Sequence, residues 1–308
     1  MSNLTKTIIL GAVLILIGTS AKIGINISIK ENNEYRSATY FVAQITSASP
    51  VLAVKSVAEI PDEKELKIPD NIAVKAAAAI DLSSREKIFT INNEARWPLA
   101  SITKLMSSIV ALENMNREQQ IVFSPTAIAT LGTVGGFVQG ESFSVLDMVN
   151  TMMVTSSNDA AIALVESMPE GQFIFLMNAK ATDIGMHNTR FSEPTGLSML
   201  NQSTVHDLYL LLEYAWNNHR ELFTVSSRES IVIRELNSSR NRRLTNINAL
   251  TARRDFRGGK TGFTNDANQT LVSVFSLMER PIAIIILGAD DRVKETEAII
   301  SFIKNNVN

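Results

Sequence analysis

The chain of 308 residues has no cysteine and only three histidines. The lack of cysteine excludes disulfide bonds, zinc sites built from thiolates and a cysteine nucleophile. The histidines, His187, His206 and His219, stand far apart and do not form the HExxH pattern of a helical zinc site. We therefore predict neither a metal site nor a bound cofactor.

Long basic runs are also missing, and the formal net charge is only −2. Proteins that bind polyphosphates normally carry a basic stripe, so the sequence predicts no nucleic-acid partner. Several arginines do gather late in the chain among polar and turn-forming residues, which is typical of a solvated face or a pocket rim. These arginines are Arg240, Arg242, Arg243, Arg253, Arg254 and Arg257.

The N-terminus carries a long apolar run. Lys6 precedes the apolar residues 8–17, small residues follow at 18–21, and a second apolar patch covers 23–29. A basic residue, an apolar run and small residues in this order are typical of a secretory signal. Residues 1–30 are therefore predicted to be a signal peptide or an N-terminal membrane anchor, and both alternatives stay open. We expect an exported protein, at the extracytoplasmic face of the membrane, in the periplasm or in the cell wall.

Residues 31–70 lack a sustained hydrophobic period. They contain three prolines and mixed charges, which favours a tether. The whole chain is 45% hydrophobic, as is typical of globular proteins, and the remaining residues, 71–308, are predicted to form one large domain. The chain has no internal repeat and no low-complexity run.

Hydrophobic periodicity in this domain predicts strands at both ends and helices between them. A hairpin is predicted over residues 73–81 and 87–91. Predicted helices cover residues 101–112, 145–154, 160–167, 172–184 and 204–216. Strand character returns at 230–236, in a stretch ending at Thr264, at 269–277 and at 281–289, before a last helix over 293–304. This order predicts an α+β fold, an antiparallel five-stranded sheet flanked by helices, in which the first hairpin joins strands from the other end of the chain.

The pattern Ser-x-x-Lys occurs three times, starting at Ser84, Ser101 and Ser301. Ser84 lies in the predicted hairpin turn, and Ser301 lies on the last helix, where a lysine near the end complements the helix dipole. Only Ser101 opens a helix after a proline-containing extended segment. Because residues three apart share a helix face, Lys104 is predicted to lie beside the Ser101 hydroxyl. Burial would lower the pKa of the lysine and make it a usable base for the serine.

Two further segments contain polar and charged side chains that could take part in catalysis or binding. TSSNDAA, residues 155–161, falls in a break between two helices, where a plain helix cap is the simpler interpretation. GGKTGFT, residues 258–264, places three glycines around Lys260, which suggests close approach of the backbone to a ligand. The alternative is an edge-strand lysine that discourages aggregation.

SITK, SSN and KTG in this order resemble the motif set of the penicillin-binding proteins and serine β-lactamases. SSNDAAIALVE, FSEPTGLS and KTGFTNDA narrow the resemblance to the D-alanyl-D-alanine carboxypeptidase family of low-mass penicillin-binding proteins. The resemblance covers roughly residues 73–303. It implies the penicillin-binding protein fold, with an all-helical subdomain beside the sheet.

The resemblance also implies roles for individual residues. Ser101 would be the acyl-accepting nucleophile, Lys104 its base, and Ser156 a relay that passes a proton to the leaving group. The backbone N–H groups of Ser101 and Phe263 would form the oxyanion hole. The implied substrate-binding residues are Asn158, Lys260, Thr261, Gly262, Phe263 and Arg292, the last with a surface arginine as its alternative.

By this resemblance the protein is a serine D,D-carboxypeptidase that hydrolyses the terminal D-Ala-D-Ala bond of peptidoglycan stem peptides, with β-lactams as covalent inhibitors. Endopeptidase action on cross-links uses the same chemistry and stays an alternative. A class A β-lactamase is disfavoured, because no Glu-x-x-Leu-Asn segment stands between Asp159 and His206. A non-catalytic wall-binding protein is a further alternative. Ser157 and Asn268 replace glycines common in the family, so the pocket width is expected to differ.

Overall fold

The computed structural model describes residues 8–17, 20–31, 34–45, 72–132 and 134–306, with side chains from residue 72 onward. The chain divides into two compact units, Met1–Asp62 and Glu63–Asn308.

The described part of the first unit is one antiparallel sheet. It consists of β1 (Ile8–Ile17), β2 (Ser20–Glu31) and β3 (Glu34–Ile45), in that order. The strands cover most of the predicted export segment, 1–30, and the start of the predicted tether, 31–70. Secondary structure tests neither export nor tethering, so both stay predictions, and residues 46–71 lie outside the described residues. Within the described ranges, no helix has the length and hydropathy needed to cross a membrane.

The second unit mixes strands and helices. Its strands are β4 (Ala76–Asp81), β5 (Lys87–Ile91), β6 (Trp97–Pro98), β7 (Gln120–Val122), β8 (Ser142–Ser144), β9 (Gln202–Ser203), β10 (Ser230–Arg234), β11 (Asn241–Thr245), β12 (Phe256–Thr264), β13 (Asn268–Leu277) and β14 (Arg280–Ala289). Its helices are α1 (Thr103–Asn114), α2 (Pro125–Ile128), α3 (Val145–Thr155), α4 (Asn158–Glu166), α5 (Gln172–Asp183), α6 (Val205–Asn218), α7 (Arg220–Ser226) and α8 (Arg292–Asn306).

The predicted five-stranded antiparallel sheet is confirmed, with the order β12-β13-β14-β4-β5. The hairpin β4–β5 joins the three C-terminal strands through β14. This register places β12, which carries the KTG residues, at one edge of the sheet. Its outer edge therefore has no strand partner within the described residues.

Alternate residues of the central strands pack into two separate hydrophobic clusters. Ala79 and Ile284, paired across β4 and β14, lie with Ile299 of α8 on one face. Ala78 and Ile285 lie on the other face with the large cluster formed by the remaining helices. Burying an Ile or Val side chain completely contributes about 1.5–3 kcal/mol relative to leaving it exposed. Helices on both faces explain why the central strands are apolar almost throughout.

The helix α1 lies at the centre of the helical region. All of its residues from Thr103 to Leu112 are buried, and it packs on α3 and α5. The sequence predicted a helix from residue 101, but the structure has a 3₁₀ turn over Ala100–Ile102 before α1 begins. The other predicted helices agree with the structure to within two residues at each end.

One predicted strand has a different place, and several short elements were not predicted: α2, α7, β6, β7, β8, β9 and β11. The predicted strand 230–236 lies outside the main sheet and forms a two-stranded ribbon, β10 with β11. The short helix α7 was not predicted, since its seven residues offer less than two full periods. It packs directly on β12. The helix α7 thus borders the strand that carries the KTG residues, whereas both strands of the ribbon pack on α3.

Candidate active site

Ser101 lies on the 3₁₀ turn that links the sheet region to α1. The preceding residue, Ala100, has a φ of 47°, in the left-handed region that non-glycine residues rarely adopt. Gly196, whose φ is +85°, packs directly against the backbone of Ala100 and Ser101. A Cβ atom at Gly196 would lie 1.9 Å from the carbonyl oxygen of Ala100. The loop 193–201 therefore fixes the conformation of the serine turn by direct backbone contact.

Gly196→Ala is expected to distort this turn, because the clashing atom belongs to the backbone and cannot move cheaply. Overpacking costs about 1–3 kcal/mol or more in addition to the left-handed strain of about 1–2 kcal/mol. Gly171→Ala is the matched control, because Gly171 also has a positive φ, +75°, but a Cβ there meets nothing within 4 Å. Denaturant unfolding and penicillin acylation should both be impaired more by the first change than by the second. Equal effects of the two changes would contradict the contact.

Lys104 is fully buried and its amine is held by three acceptors. Nζ lies 3.0 Å from Ser101 Oγ, 2.5 Å from Asn158 Oδ1 and 2.6 Å from the carbonyl oxygen of Thr195. As an ammonium, Lys104 donates to all three. As a neutral amine it keeps two donors and directs its lone pair at the serine hydroxyl.

Burial lowers the pKa of Lys104 to about 7, and the negative charges of Glu193 and Asp159 partly oppose this shift. About half of the molecules carry a neutral Lys104 at pH 7, which can accept a proton, whereas a solvated lysine is almost fully protonated there. The side chain of Asp159 is itself completely buried, and its two oxygens have no hydrogen-bond partner among the described residues. Burial raises the pKa of Asp159.

The rate of acylation is expected to rise with pH through about 7, because Lys104 must be neutral to take the serine proton. The acylation rate constant for a fluorescent penicillin, measured across neutral pH, checks this. A rate that is independent of pH over this range would exclude Lys104 as the titrating base. A rise centred near the ordinary lysine pKa of about 10.4 would contradict the lowered pKa.

The segment Ser156-Ser157-Asn158 occupies the break between α3 and α4. Ser157 is the helix cap that the simpler interpretation predicted, since its hydroxyl accepts the N–H of Ala160 at 3.1 Å. Ser156 ends α3 with a φ of 61°. The amide of Asn158 accepts from Lys104 and donates to the carbonyl oxygen of Leu131 at 2.7 Å. Ser157 thus caps the helix, while its neighbours contact the two lysines, Asn158 contacting Lys104 and Ser156 contacting Lys260.

Lys260 connects β12 to this segment. Its Nζ donates to Ser156 Oγ at 2.9 Å and to the carbonyl oxygen of Thr261 at 2.7 Å. The side chain is buried. Burial, and then the positive charges of Lys104 and Arg292, hold its pKa well below the usual range. An edge-strand guard would be solvated, so the buried Lys260 does not fit that alternative.

The glycines around Lys260 have a reason other than the predicted approach to a ligand. Cβ atoms at Gly258 and Gly259 would come within 2.3 Å of backbone oxygens of Phe223 and Val272. At Gly262 a Cβ would lie 2.5 Å from Thr270 Oγ1. These glycines let β12 pack against α7, β13 and the serine turn. They place the strand beside Ser101, and the close approach of a ligand to this backbone stays a prediction.

Arg292, at the start of α8, also contacts β12. Its Nη1 donates to the carbonyl oxygen of Gly262 at 2.8 Å, and burial lowers its pKa. It is therefore half-buried against the KTG strand rather than a fully solvated surface arginine. Thr261 is buried in the same strand, whereas the side chain of Phe263 is exposed. The nine residues proposed from the sequence thus lie on β12, at the start of α8, around the start of α1 or in the break between α3 and α4.

Sequence reasoning missed the loop residues that complete the site. Thr195 supplies a backbone oxygen to Lys104, Gly196 supports the serine turn, and Glu193 binds the loop from within. Because the acceptor on Thr195 is a backbone oxygen, the residue types in the sequence do not indicate it. The FSEPTGLS segment was the available signal, although no role could be assigned to it from residue types alone.

An antiparallel sheet beside a helical region, with a serine, two buried lysines and an asparagine at their junction, defines a serine-type peptidase of the penicillin-binding class. Residues 62–291 match the D-alanyl-D-alanine carboxypeptidase family, and the chain belongs to that family. Members of the family act on D-Ala-D-Ala peptides of peptidoglycan, and penicillin-binding proteins bind β-lactams. The protein is thus a serine-type D-Ala-D-Ala peptidase, a cell-wall hydrolase.

Two relatives are named D-alanyl-D-alanine endopeptidase. That of Pseudomonas aeruginosa is 31% identical over 80% of this chain and 78% of its own length. That of Escherichia coli is 32% identical over 71% of this chain and 72% of its own. The Streptomyces K15 DD-transpeptidase has the same fold, with a TM-score of 0.70 and 23% identity over 77% of this chain and 98% of that one.

Proposed function

We propose that the protein is a D,D-peptidase that cleaves peptidoglycan cross-links through an acyl-enzyme on Ser101. The observation that carries the chemistry is the position of Lys104, whose Nζ lies 3.0 Å from Ser101 Oγ in a fully buried cage. A serine hydroxyl is a weak nucleophile until a base within hydrogen-bond reach takes its proton. Lys104 meets both requirements, reach and a pKa of about 7.

In the acylation step, Ser101 Oγ attacks the carbonyl carbon of the D-alanine on the acyl side of the scissile bond, and its proton moves to Lys104 Nζ. The carbonyl oxygen becomes an oxyanion, which the N–H groups of Ser101 and Phe263 would bind. The carbonyl of Thr261 accepts from the Lys260 amine and therefore points away from β13. Residues two apart on a strand direct their backbone groups to the same side, so Phe263 follows Thr261. The N–H of Phe263 is thereby expected to face the cleft. One oxyanion donor is worth about 10²–10³ in rate.

The tetrahedral intermediate then collapses by breaking its C–N bond. The leaving amine takes a proton from Ser156 Oγ, which is replenished by Lys104, and the acyl group stays on Ser101. Water hydrolyses this ester and releases the shortened peptide. Ser156 is held for the relay by Lys260, 2.9 Å away. The positive charges of Lys260 and Arg292 favour a substrate carboxylate near Thr261, and Asn158 would hold the peptide chain.

The endopeptidase specificity is supported by the two relatives with that name, which match this chain at 31% and 32% identity. The outer edge of β12, which has no strand partner within the described residues, also suits an extended peptide that continues past the scissile bond, because such a peptide can add as a strand. Carboxypeptidase action is the second candidate, favoured by the description of the family that residues 62–291 match.

Cross-linked muropeptide dimers and monomeric pentapeptides separate the two specificities. Incubation of the full chain with each substrate, followed by mass spectrometry, is expected to convert dimers to monomers faster than it releases D-alanine from pentapeptides. The Ser101→Ala variant controls for contaminating hydrolases. Release of D-alanine alone would assign the carboxypeptidase, whereas no product from either substrate would reject the proposed function.

The same proposal places the protein outside the cytoplasm, where peptidoglycan lies. It is supported by Lys6 and the apolar residues 8–17 at the N-terminus. In cells that express the chain with a C-terminal tag, the tag is expected to be cleaved by protease added to spheroplasts, or to be found in the periplasmic or wall fraction. A tag that is protected until the membrane is lysed would contradict export.

A further inference from the structure

The loop between α5 and β9 is organised around one carboxylate, that of Glu193. Oε2 accepts the backbone N–H of Thr195 at 2.7 Å and its hydroxyl at 2.5 Å. Oε1 accepts the N–H of Gly196 at 2.6 Å and the amide of Asn201 at 2.8 Å. A carboxylate with this many donors closes the loop on itself, because each donor would otherwise need another partner.

The closed loop is fastened to α1 at successive positions of one helix face. Ser107 Oγ donates to the carbonyl oxygen of Pro194 at 2.7 Å, and Lys104 Nζ donates to that of Thr195 at 2.6 Å. The amide of Asn201 also reaches Thr103 Oγ1, at 3.1 Å. The position of the Thr195 oxygen, and with it the aim of the Lys104 amine at Ser101, therefore depends on the fold of this loop.

Glu193 also contributes charge. Two acidic groups act on Lys104, Glu193 from the loop and Asp159 from α4, and both favour its protonated form. On the other side lie Lys260 of β12 and Arg292 of α8, and the charges of Lys104 and Arg292 add to burial in lowering the pKa of Lys260. Asp159 makes no hydrogen bond through its carboxylate oxygens among the described residues, so it supplies charge without holding the loop. Glu193 combines the two effects.

We propose that Glu193 is a positioning residue of the reaction, which folds the loop 193–201 so that the Thr195 carbonyl holds Lys104 against Ser101, and whose negative charge sets the pH range in which Lys104 accepts the serine proton. The proposal rests on the proposed function, because it requires Lys104 to act as the base. It assigns to Glu193 no contact with substrate.

The test compares Glu193→Gln with Thr195→Val in the full chain. Glu193→Gln keeps the size of the side chain, removes the charge and turns an NH₂ group toward the loop donors. Thr195→Val removes the hydroxyl that donates to Glu193 and accepts the N–H of Leu197, and it keeps both the carboxylate and the backbone carbonyl. The acylation rate constant for a fluorescent penicillin is measured against pH for both variants and the wild type, together with the thermal midpoint.

Glu193→Gln is expected to slow acylation by about 10–100-fold, as misplacement of a catalytic group does. The acid limb of its pH profile, which is the range where the rate rises with pH, should move to lower pH. Removal of a nearby negative charge disfavours protonated Lys104, so the neutral amine forms at lower pH. Thr195→Val should slow acylation less and leave its acid limb at or above that of the wild type. An acid limb in Glu193→Gln at or above the wild-type position would overturn the proposal and leave Glu193 a structural residue.

Two further outcomes are informative. If Glu193→Gln does not fold, Glu193→Asp decides: it keeps the charge but withdraws the carboxylate from the loop donors, so acylation should slow with the acid limb unmoved. A wild-type rate in Glu193→Asp would overturn the positioning role. If the folded wild type is not acylated at all, the proposed function fails instead, which separates the two failures.

Discussion

Replacement of Ser101 by alanine is expected to abolish acylation by penicillin and hydrolysis of D-alanyl peptides, while the fold stays intact. The hydroxyl of Ser101 receives one hydrogen bond, from Lys104, and carries no part of the core. Its loss removes the atom to which the acyl group would be attached, so no residual acyl-enzyme is expected. Intact mass after mixing with penicillin and circular dichroism of the same sample measure the two parts of this result.

The chain offers two matched controls for Ser101. Ser84 and Ser301 also begin Ser-x-x-Lys patterns, but both are exposed, in the turn after β4 and on α8. Ser84→Ala and Ser301→Ala should therefore be acylated at the wild-type rate. Acylation that survives Ser101→Ala would refute the assignment of the nucleophile.

Replacement of Lys104 by methionine should give the second largest loss. Methionine nearly preserves the buried volume, but it leaves Asn158 Oδ1 and the Thr195 oxygen without their donor. Removal of a general base typically costs about 10²–10⁴ in rate. The acylation rate constant should fall by this amount while Ser101 stays available for slow reaction. The rise of the rate through pH of about 7 should disappear at the same time.

Lys304→Met is the matched control for this prediction. Lys304 completes the third Ser-x-x-Lys pattern, but it lies on the surface, about half exposed, and its nearest ionic partner is Asp255 at 3.7 Å. Surface pairs of this kind contribute about 0–1 kcal/mol, so the control should keep the wild-type rate and nearly the wild-type stability. A rate in Lys104→Met equal to that of Lys304→Met would exclude Lys104 as the base.

The sheet and most helices were predictable because they bury apolar residues at regular spacing. The central strands are apolar on both faces, and α1 is buried along its length, so their patterns are strong. The pairing of Ser101 with Lys104 followed from helical spacing, although the first turn is 3₁₀. Spacing of three residues brings side chains together in both kinds of helix.

The rest of the site depends on contacts that periodicity does not encode. The oxygen of Thr195 is a backbone atom, and the loop that carries it has no period. The glycines of β12 suggest a ligand in the sequence, and the structure adds a second reason for them, the packing of the strand against its neighbours. The φ of 47° at Ala100 likewise follows from the fit between the serine turn and Gly196. Such strain is typical of functional sites, where the surrounding structure maintains it.

The central claim, that Ser101 is acylated, is tested most directly by one measurement. The folded full chain is mixed with penicillin, its intact mass is followed with time, and the adduct is mapped by peptide digestion. The account predicts a lasting adduct of one penicillin on the peptide that contains Ser101. No adduct, or an adduct on another residue, would contradict it, and an adduct that forms and quickly disappears would instead indicate a β-lactamase.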